Sequence, residues 1–220
     1  MSLLLPLAAQ QPAPAPVTNA VPAAAPAASP KAEAVKPAAA NLPVLDEGLL
    51  QTQWFGPGIT FEKADQVDFY WIQPALNLSG KTIEFGAWDD PVDLKPGRDK
   101  KDKERAQKLT DSFPGLLMRG LAPAFGSKIK ESKREGDYVL IGRVVDANAK
   151  STGARFFAPA GIGAAETVTF DFKIIEAKTH EVVAAFHHRV VSATVMSTVD
   201  SKIEKWMKDF GPFLVEKAAH

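Results

Sequence analysis

Thr167-Val168-Thr169-Phe170-Asp171-Phe172-Lys173-Ile174 decides the fold. The stretch alternates strictly: Val168, Phe170, Phe172 and Ile174 point one way, and Thr167, Thr169, Asp171 and Lys173 the other. A period of two is the mark of a β-strand with one face turned to a core. The turn Glu176-Ala177-Lys178-Thr179-His180-Glu181 follows, then the apolar run from Val182 to Val191. The two strands therefore form a hairpin. Its register follows from burial. Placing Phe172 opposite Phe186, Ile174 opposite Ala184 and Phe170 opposite His188 aligns the apolar faces of both strands. A slip of one residue would carry His187 to the buried face. In this register Asp171 faces His187 on the other side of the sheet, an exposed carboxylate–imidazole pair worth about 0.2–1 kcal/mol. His180 is expected in the turn with positive φ, a conformation that His tolerates better than most side chains.

Working upstream, Tyr138 to Val145 is apolar on both faces except at Arg143, as expected of an inner strand covered on both sides. Between it and the hairpin lies a Gly/Ala-rich loop. Val67 to Gln73, limited by Pro74, and Lys81 to Trp88 are further strands, separated by turn residues that include Ser79-Gly80. Ala106, Leu109, Phe113, Leu116, Leu117, Leu121 and Phe125 recur at helical spacing. Pro114 and Pro123 should split that helix in two. A last helix over 199–217 carries the stripe Ile203, Trp206, Met207, Phe210 and Leu214. Ser201 with Glu204 offers a capping box for it, with Ser197 and Asp200 as the alternative start. Gly211-Pro212 should end or kink it. The order β-β-α-β-β-β-α predicts an α+β fold, a largely antiparallel sheet with helices on one face.

The domain is expected to span 45–220, one unit long enough to bury about 70% of its unfolded surface. Residues 1–10, Met-Ser-Leu-Leu-Leu-Pro-Leu-Ala-Ala-Gln, read as the end of an export signal, a short apolar core followed by small residues at a cleavage position. Residues 11–44 are Ala/Pro-rich, with Lys31, Glu33 and Lys36 charged and a proline every few positions. Such a stretch cannot offset its ordering entropy and is predicted to be disordered. As an extended spacer it would reach up to about 100 Å at ~3.1 Å per residue. These features predict a periplasmic or secreted location. No apolar run in the 220 residues is long enough to form a transmembrane segment.

The chemistry is sparse. Lys and Arg number 26, matching 26 Asp and Glu, so the chain lacks the basic excess of a nucleic-acid-binding protein. It has no cysteine, which removes disulfides, thiolate catalysis and Cys-ligated zinc. His187 and His188 are adjacent on a strand, face opposite ways and cannot chelate one ion together. Gly161-Ile162-Gly163 precedes a strand, whereas a phosphate loop needs a helix N-terminus after its glycines. Lys95, Arg98, Lys100, Lys101, Lys103 and Arg105 are diluted by Asp99, Asp102 and Glu104 and read as a solvated loop and helix start. Asp89, Asp90 and Asp93 lack the Gly and terminal Glu of a calcium loop. No catalytic, cofactor-binding or metal-binding residues are predicted. Arg155, Phe156 and Phe157 form a candidate docking patch in the Gly/Ala-rich loop.

Three segments carry a resemblance: Gly142-Arg143-Val144-Val145-Asp146, Ala164 to Phe172, and Thr179-His180-Glu181-Val182-Val183-Ala184. Together they resemble bacterial envelope proteins known only as domains of unknown function, similar to the small α/β domains of curli-secretion-type and other auxiliary lipoproteins. The chain departs from that pattern in having Glu176 near the usual Asp, His180 at the turn Gly, and no lipobox cysteine. The resemblance implies a non-enzymatic, exported accessory or scaffold domain that binds another envelope protein. The alternative is a small-ligand or lipid-binding periplasmic module, with its pocket between the sheet and the helix at 199–217.

Overall fold

Two long hairpin-forming strands sit at the centre of a mixed sheet. The computed structural model describes residues 49–92, 97–132, 134–148, 166–192 and 198–219. In chain order they form α1 (Thr52–Phe55), β1 (Glu62–Ala64), β2 (Val67–Ile72), β3 (Thr82–Phe85) and α2 (Lys100–Phe125). Then come β4 (Lys130–Ser132), β5 (Tyr138–Asn148), β6 (Glu166–Glu176), β7 (Val182–Ser192) and α3 (Val199–Ala218). All lie within one compact unit, Pro43–His220. Among the described residues the sheet has seven strands in the order β1-β2-β7-β6-β5-β3-β4. The pairings from β1 to β5 are antiparallel. β3 runs parallel to both β5 and β4. The expectation of a largely antiparallel sheet therefore gives way to a mixed one. The cause is α2, whose length carries the chain back across the sheet between β3 and β5, as a parallel connection requires.

The hairpin register is as expected: Phe172 pairs with Phe186, Ile174 with Ala184, Phe170 with His188 and Asp171 with His187. His180 adopts φ 60° in the turn. There its N–H donates to the Glu176 carbonyl at 2.9 Å. β5 is an inner strand between β6 and β3. A bulge between Val144 and Asp146 reverses its alternation. Ala147 rather than Asp146 then joins the helix-side core, and Arg98 takes up Asp146 through Nε at 2.7 Å and Nη2 at 2.5 Å.

α2 and α3 cover one face of the sheet. Phe172 stacks on Phe186 with centroids 4.7 Å apart, and Phe210 meets both rings edge-on. Trp88 stacks on Phe113 at 4.3 Å. Gly142 makes room for it, since a Cβ there would lie 2.6 Å from the indole.

The prolines do not divide α2, and Pro212 does not end α3. A proline inside a helix costs about 3 kcal/mol. Leu109, Phe113, Leu117, Leu121 and Phe125 are all buried, and each contributes about 1.5–3 kcal/mol. The continuous apolar stripe outweighs the broken hydrogen bond. Asp99 starts α2 with a reciprocal cap to Asp102. Thr198, not Ser201, caps α3, accepting from the Ser201 N–H at 3.2 Å; Ser197 lies outside the described residues. The helices cross at glycines. A Cβ on Gly120 would lie 2.2 Å from Met207 Sδ, and one on Gly211 would lie 2.7 Å from Ala124 Cβ.

Candidate functional site

The second face of the sheet carries a buried polar cluster. Arg143 of β5, Asp171 of β6 and His187 of β7 stand side by side because those strands are neighbours and the register sets Arg143 against Asp171 and Asp171 against His187. Asp171 Oδ2 accepts from Arg143 Nε at 2.9 Å and Nη2 at 2.8 Å. Its Oδ1 lies 2.6 Å from His187 Nδ1. Asp171 is 0% exposed and His187 1%. The expected exposed pair is thus a buried one with a third member, and the sheet has two covered faces.

The cover is the chain around α1. Leu49 and Phe55 are buried. The Trp54 ring lies 4.6 Å from the Arg143 guanidinium and 4.1 Å from Lys173 Nζ. Trp54 Nε1 donates to Asp89 at 3.0 Å, and Lys173 Nζ donates to the Trp54 carbonyl at 2.7 Å. Burial pushes the Lys173 ammonium below the ordinary lysine value. The Asp89 carboxylate opposes that shift and Arg143 reinforces it. Helices therefore lie on both faces: α2 and α3 on one, the short α1 on the other.

Beside His187 the second face opens into a cleft of about 230 Å³, lined by Lys63, Asp68, Phe69, Thr169, His187 and Arg189 among others. Phe69 pairs with His187 across β2 and β7, with ring centroids 5.9 Å apart. Asp68 is tied to the helix side, lying 3.0 Å from His188 Nδ1 and accepting from the Arg189 N–H at 2.7 Å. Burial alone would raise its pKa. The His188 hydrogen bond and charge, with the Arg189 N–H, outweigh that and hold it below the usual value. His188 stacks on Trp206 at 4.8 Å. The two histidines thus serve opposite faces, as strand alternation requires.

On the outer surface, α2 and α3 leave an apolar groove of about 540 Å³. Leu116, Gly120, Pro123, Ala124, Met207 and Pro212 line it, together with Arg119, Glu204 and Lys208. By contrast, the sheet–α3 interface expected to hold a ligand pocket is filled by Phe172, Phe186, Ile203, Trp206, Phe210 and Leu214, all buried. Its rings meet at centroid distances near 5 Å. Arg155, Phe156 and Phe157 lie outside the described residues. No group of three or more His, Cys, Asp or Glu that could hold a metal occurs among the described residues. None of the described helices is long and apolar enough to cross a membrane.

The Arg143–Asp171–His187 cluster had a partial signal in sequence. Register places Asp171 against His187, but only the neighbouring strand supplies Arg143.

No protein-family model matches the chain, and no curated protein matches it. Solved structures similar to it include a PelC dodecamer from Paraburkholderia phytofirmans, 14% identical over 69% of this chain and 96% of that one, with a TM-score of 0.42. A Xanthomonas campestris protein of family DUF330 is 18% identical over 66% of this chain and 86% of that one, with a TM-score of 0.35. Likeness at this level assigns no residue and no activity. The particular resemblance to the curli-secretion group finds no support in these matches.

Proposed function

We propose that the chain is an exported accessory domain of the bacterial cell envelope and acts by binding another protein rather than by catalysis. One contrast in the fold carries this reading. The buried acid–base cluster is spent on itself, with both Asp171 oxygens occupied. The outward groove between α2 and α3, about 540 Å³, is instead open and mainly apolar. A recessed apolar strip flanked by charged side chains suits a partner's side chains better than a reaction. The signal-like first ten residues and the Ala/Pro-rich spacer fit an exported domain carried on an extended tether. The Arg155-Phe156-Phe157 loop is a proposed second contact.

The test is crosslinked affinity purification of the full chain from the envelope fraction. It runs beside a variant lacking residues 11–43 and the double variant Arg119→Glu/Lys208→Glu, both positions being exposed. One stoichiometric partner, lost or weakened in the groove variant, is expected. Recovery of no partner, with the protein in the cytoplasmic fraction, overturns the reading.

A further inference from the structure

We propose, resting on the protein-binding reading of the α2–α3 groove, that its occupant is an aromatic side chain of the partner, a tryptophan or a tyrosine. The crossing of the two helices sets the levels of the groove. Gly120 lies against Met207, and Gly211 against Ala124. Arg119 and Lys208 therefore stand at one level on opposite banks, over a floor of Gly120 and Met207, and Pro123 and Pro212 stand at the next. All four bank residues are exposed. Neither basic side chain has an ion-pair or hydrogen-bond partner among the described residues. The prolines supply a second, independent observation. A proline has no N–H, so the carbonyl four residues before it loses its helical donor. Inside α2 and α3 those carbonyls, below Pro123 and Pro212, belong to Arg119 and Lys208. Each bank thus offers a cation and a backbone oxygen without its usual helical partner.

The guest that answers all of these groups belongs to a narrow class. Cations on the banks favour the face of a π-system. The Met207 thioether, at the Gly120 floor, makes favourable contacts with aromatic rings. A backbone oxygen asks for a donor, which a phenylalanine or an aliphatic side chain lacks. An indole N–H or a phenol O–H supplies one at the tip of an apolar body. Glu204, one turn before Lys208, puts the opposite charge on the same rim and disfavours an anionic guest. The volume of about 540 Å³ lies within the roughly 300–1,000 Å³ of pockets that enclose a compact ligand. Tryptophan and tyrosine are also enriched among the residues that dominate interface energetics.

The test is a titration of the full chain with N-acetyltryptophanamide, and separately with the phenylalanine and leucine analogues, followed by amide NMR. Saturable shifts are expected at Arg119, Gly120, Met207 and Lys208 with the tryptophan probe. The phenylalanine probe, which keeps the ring and loses the side-chain donor, should bind about two- to tenfold more weakly, and the leucine probe more weakly again. Arg119→Gln and Lys208→Gln should each weaken tryptophan binding by about two- to fivefold. Pro123→Ala separates binding from folding. It gives the Arg119 carbonyl a helical N–H and removes the ring, so the protein should resist urea better while binding the tryptophan probe several-fold more weakly. Leucine binding as tight as tryptophan, shifts that rise linearly without saturation, or affinity unchanged by Pro123→Ala would each overturn the proposal. A groove-dependent envelope partner, recovered while the probes show no aromatic preference, would overturn the aromatic occupant and leave the protein-binding reading standing. Tryptophan binding in the groove with no partner recovered would do the reverse.

Discussion

Asp171→Asn is the most informative perturbation, because it removes one charge from a buried cluster while keeping its shape. In the native protein the Asp171 carboxylate neutralises Arg143 through two bonds of 2.8 and 2.9 Å and holds His187 Nδ1 at 2.6 Å. Asparagine can still accept from the guanidinium and can still meet the imidazole in its other tautomer. The missing quantity is the negative charge, with the Arg143 side chain only 6% exposed. Breaking a buried pair on one side costs about 3–5 kcal/mol, since the remaining charge is stranded away from water. For a unit of this size that corresponds to a fall in Tm of roughly 6–20 °C. Arg143→Met in the Asp171→Asn background should recover most of the loss, because it removes the stranded charge and leaves an apolar chain under Trp54. Urea denaturation of the four members of this cycle gives the coupling energy directly. A cost below about 1 kcal/mol for Asp171→Asn, or strict additivity of the two changes, would refute the claim that this cluster is a closed ion pair.

The helix crossing predicts that Gly211→Ala destabilises by about 1–3 kcal/mol through overpacking against Ala124. Ala124→Gly in that background should restore part of it, as read by chemical denaturation; no rescue would mean that the clash lies elsewhere. Asp137 accepts from the Thr82 N–H and hydroxyl, both at 2.9 Å, and these bonds hold its pKa below the usual value. Its folded pKa is depressed, so its stabilising contribution is present above the ordinary value near 3.8 and is lost as pH falls through the folded one. Thr82→Ala should move the Asp137 carboxyl back up towards that value in an NMR titration, and an unmoved titration would count against the assignment. Trp54→Ala should speed amide exchange around α1 and let the Lys173 pKa rise towards its ordinary value as water returns. Protection that stays native would show that Trp54 does not hold this segment down.

The boundary between what was legible and what was not follows the range of the interactions. The β6–β7 register could be read because a two-residue period and an apolar face leave one pairing that buries Phe170, Phe172 and Ile174 together. The same rule gave Tyr138–Val145 its inner position, from apolar residues on both its faces. Three-residue strands such as β1 and β4 are too short to show any period. The parallel pairing of β3 with β5 did leave a trace, a strand–helix–strand order around a 26-residue helix, but that order yields topology only when the connection is treated as a crossover. The unbroken α2 was hidden because local proline penalties are visible in sequence and the burial that outweighs them is not.

Asp171 marks the limit most clearly. Polar residues at alternate strand positions look the same whether they meet water or a distant piece of chain. Here the cover comes from Trp54, whose carbonyl binds Lys173 across 119 positions of sequence. One local sign does distinguish the cases. A solvated face carries charges whose partners are interchangeable, whereas this one sets Arg143, Asp171 and His187 in register on three adjacent strands. Asp171 is thereby held from both sides, by Arg143 and by His187. Such an arrangement costs little in water and much when it is broken under cover, so the Asp171→Asn cycle measures the covering of this face as directly as it measures the pair.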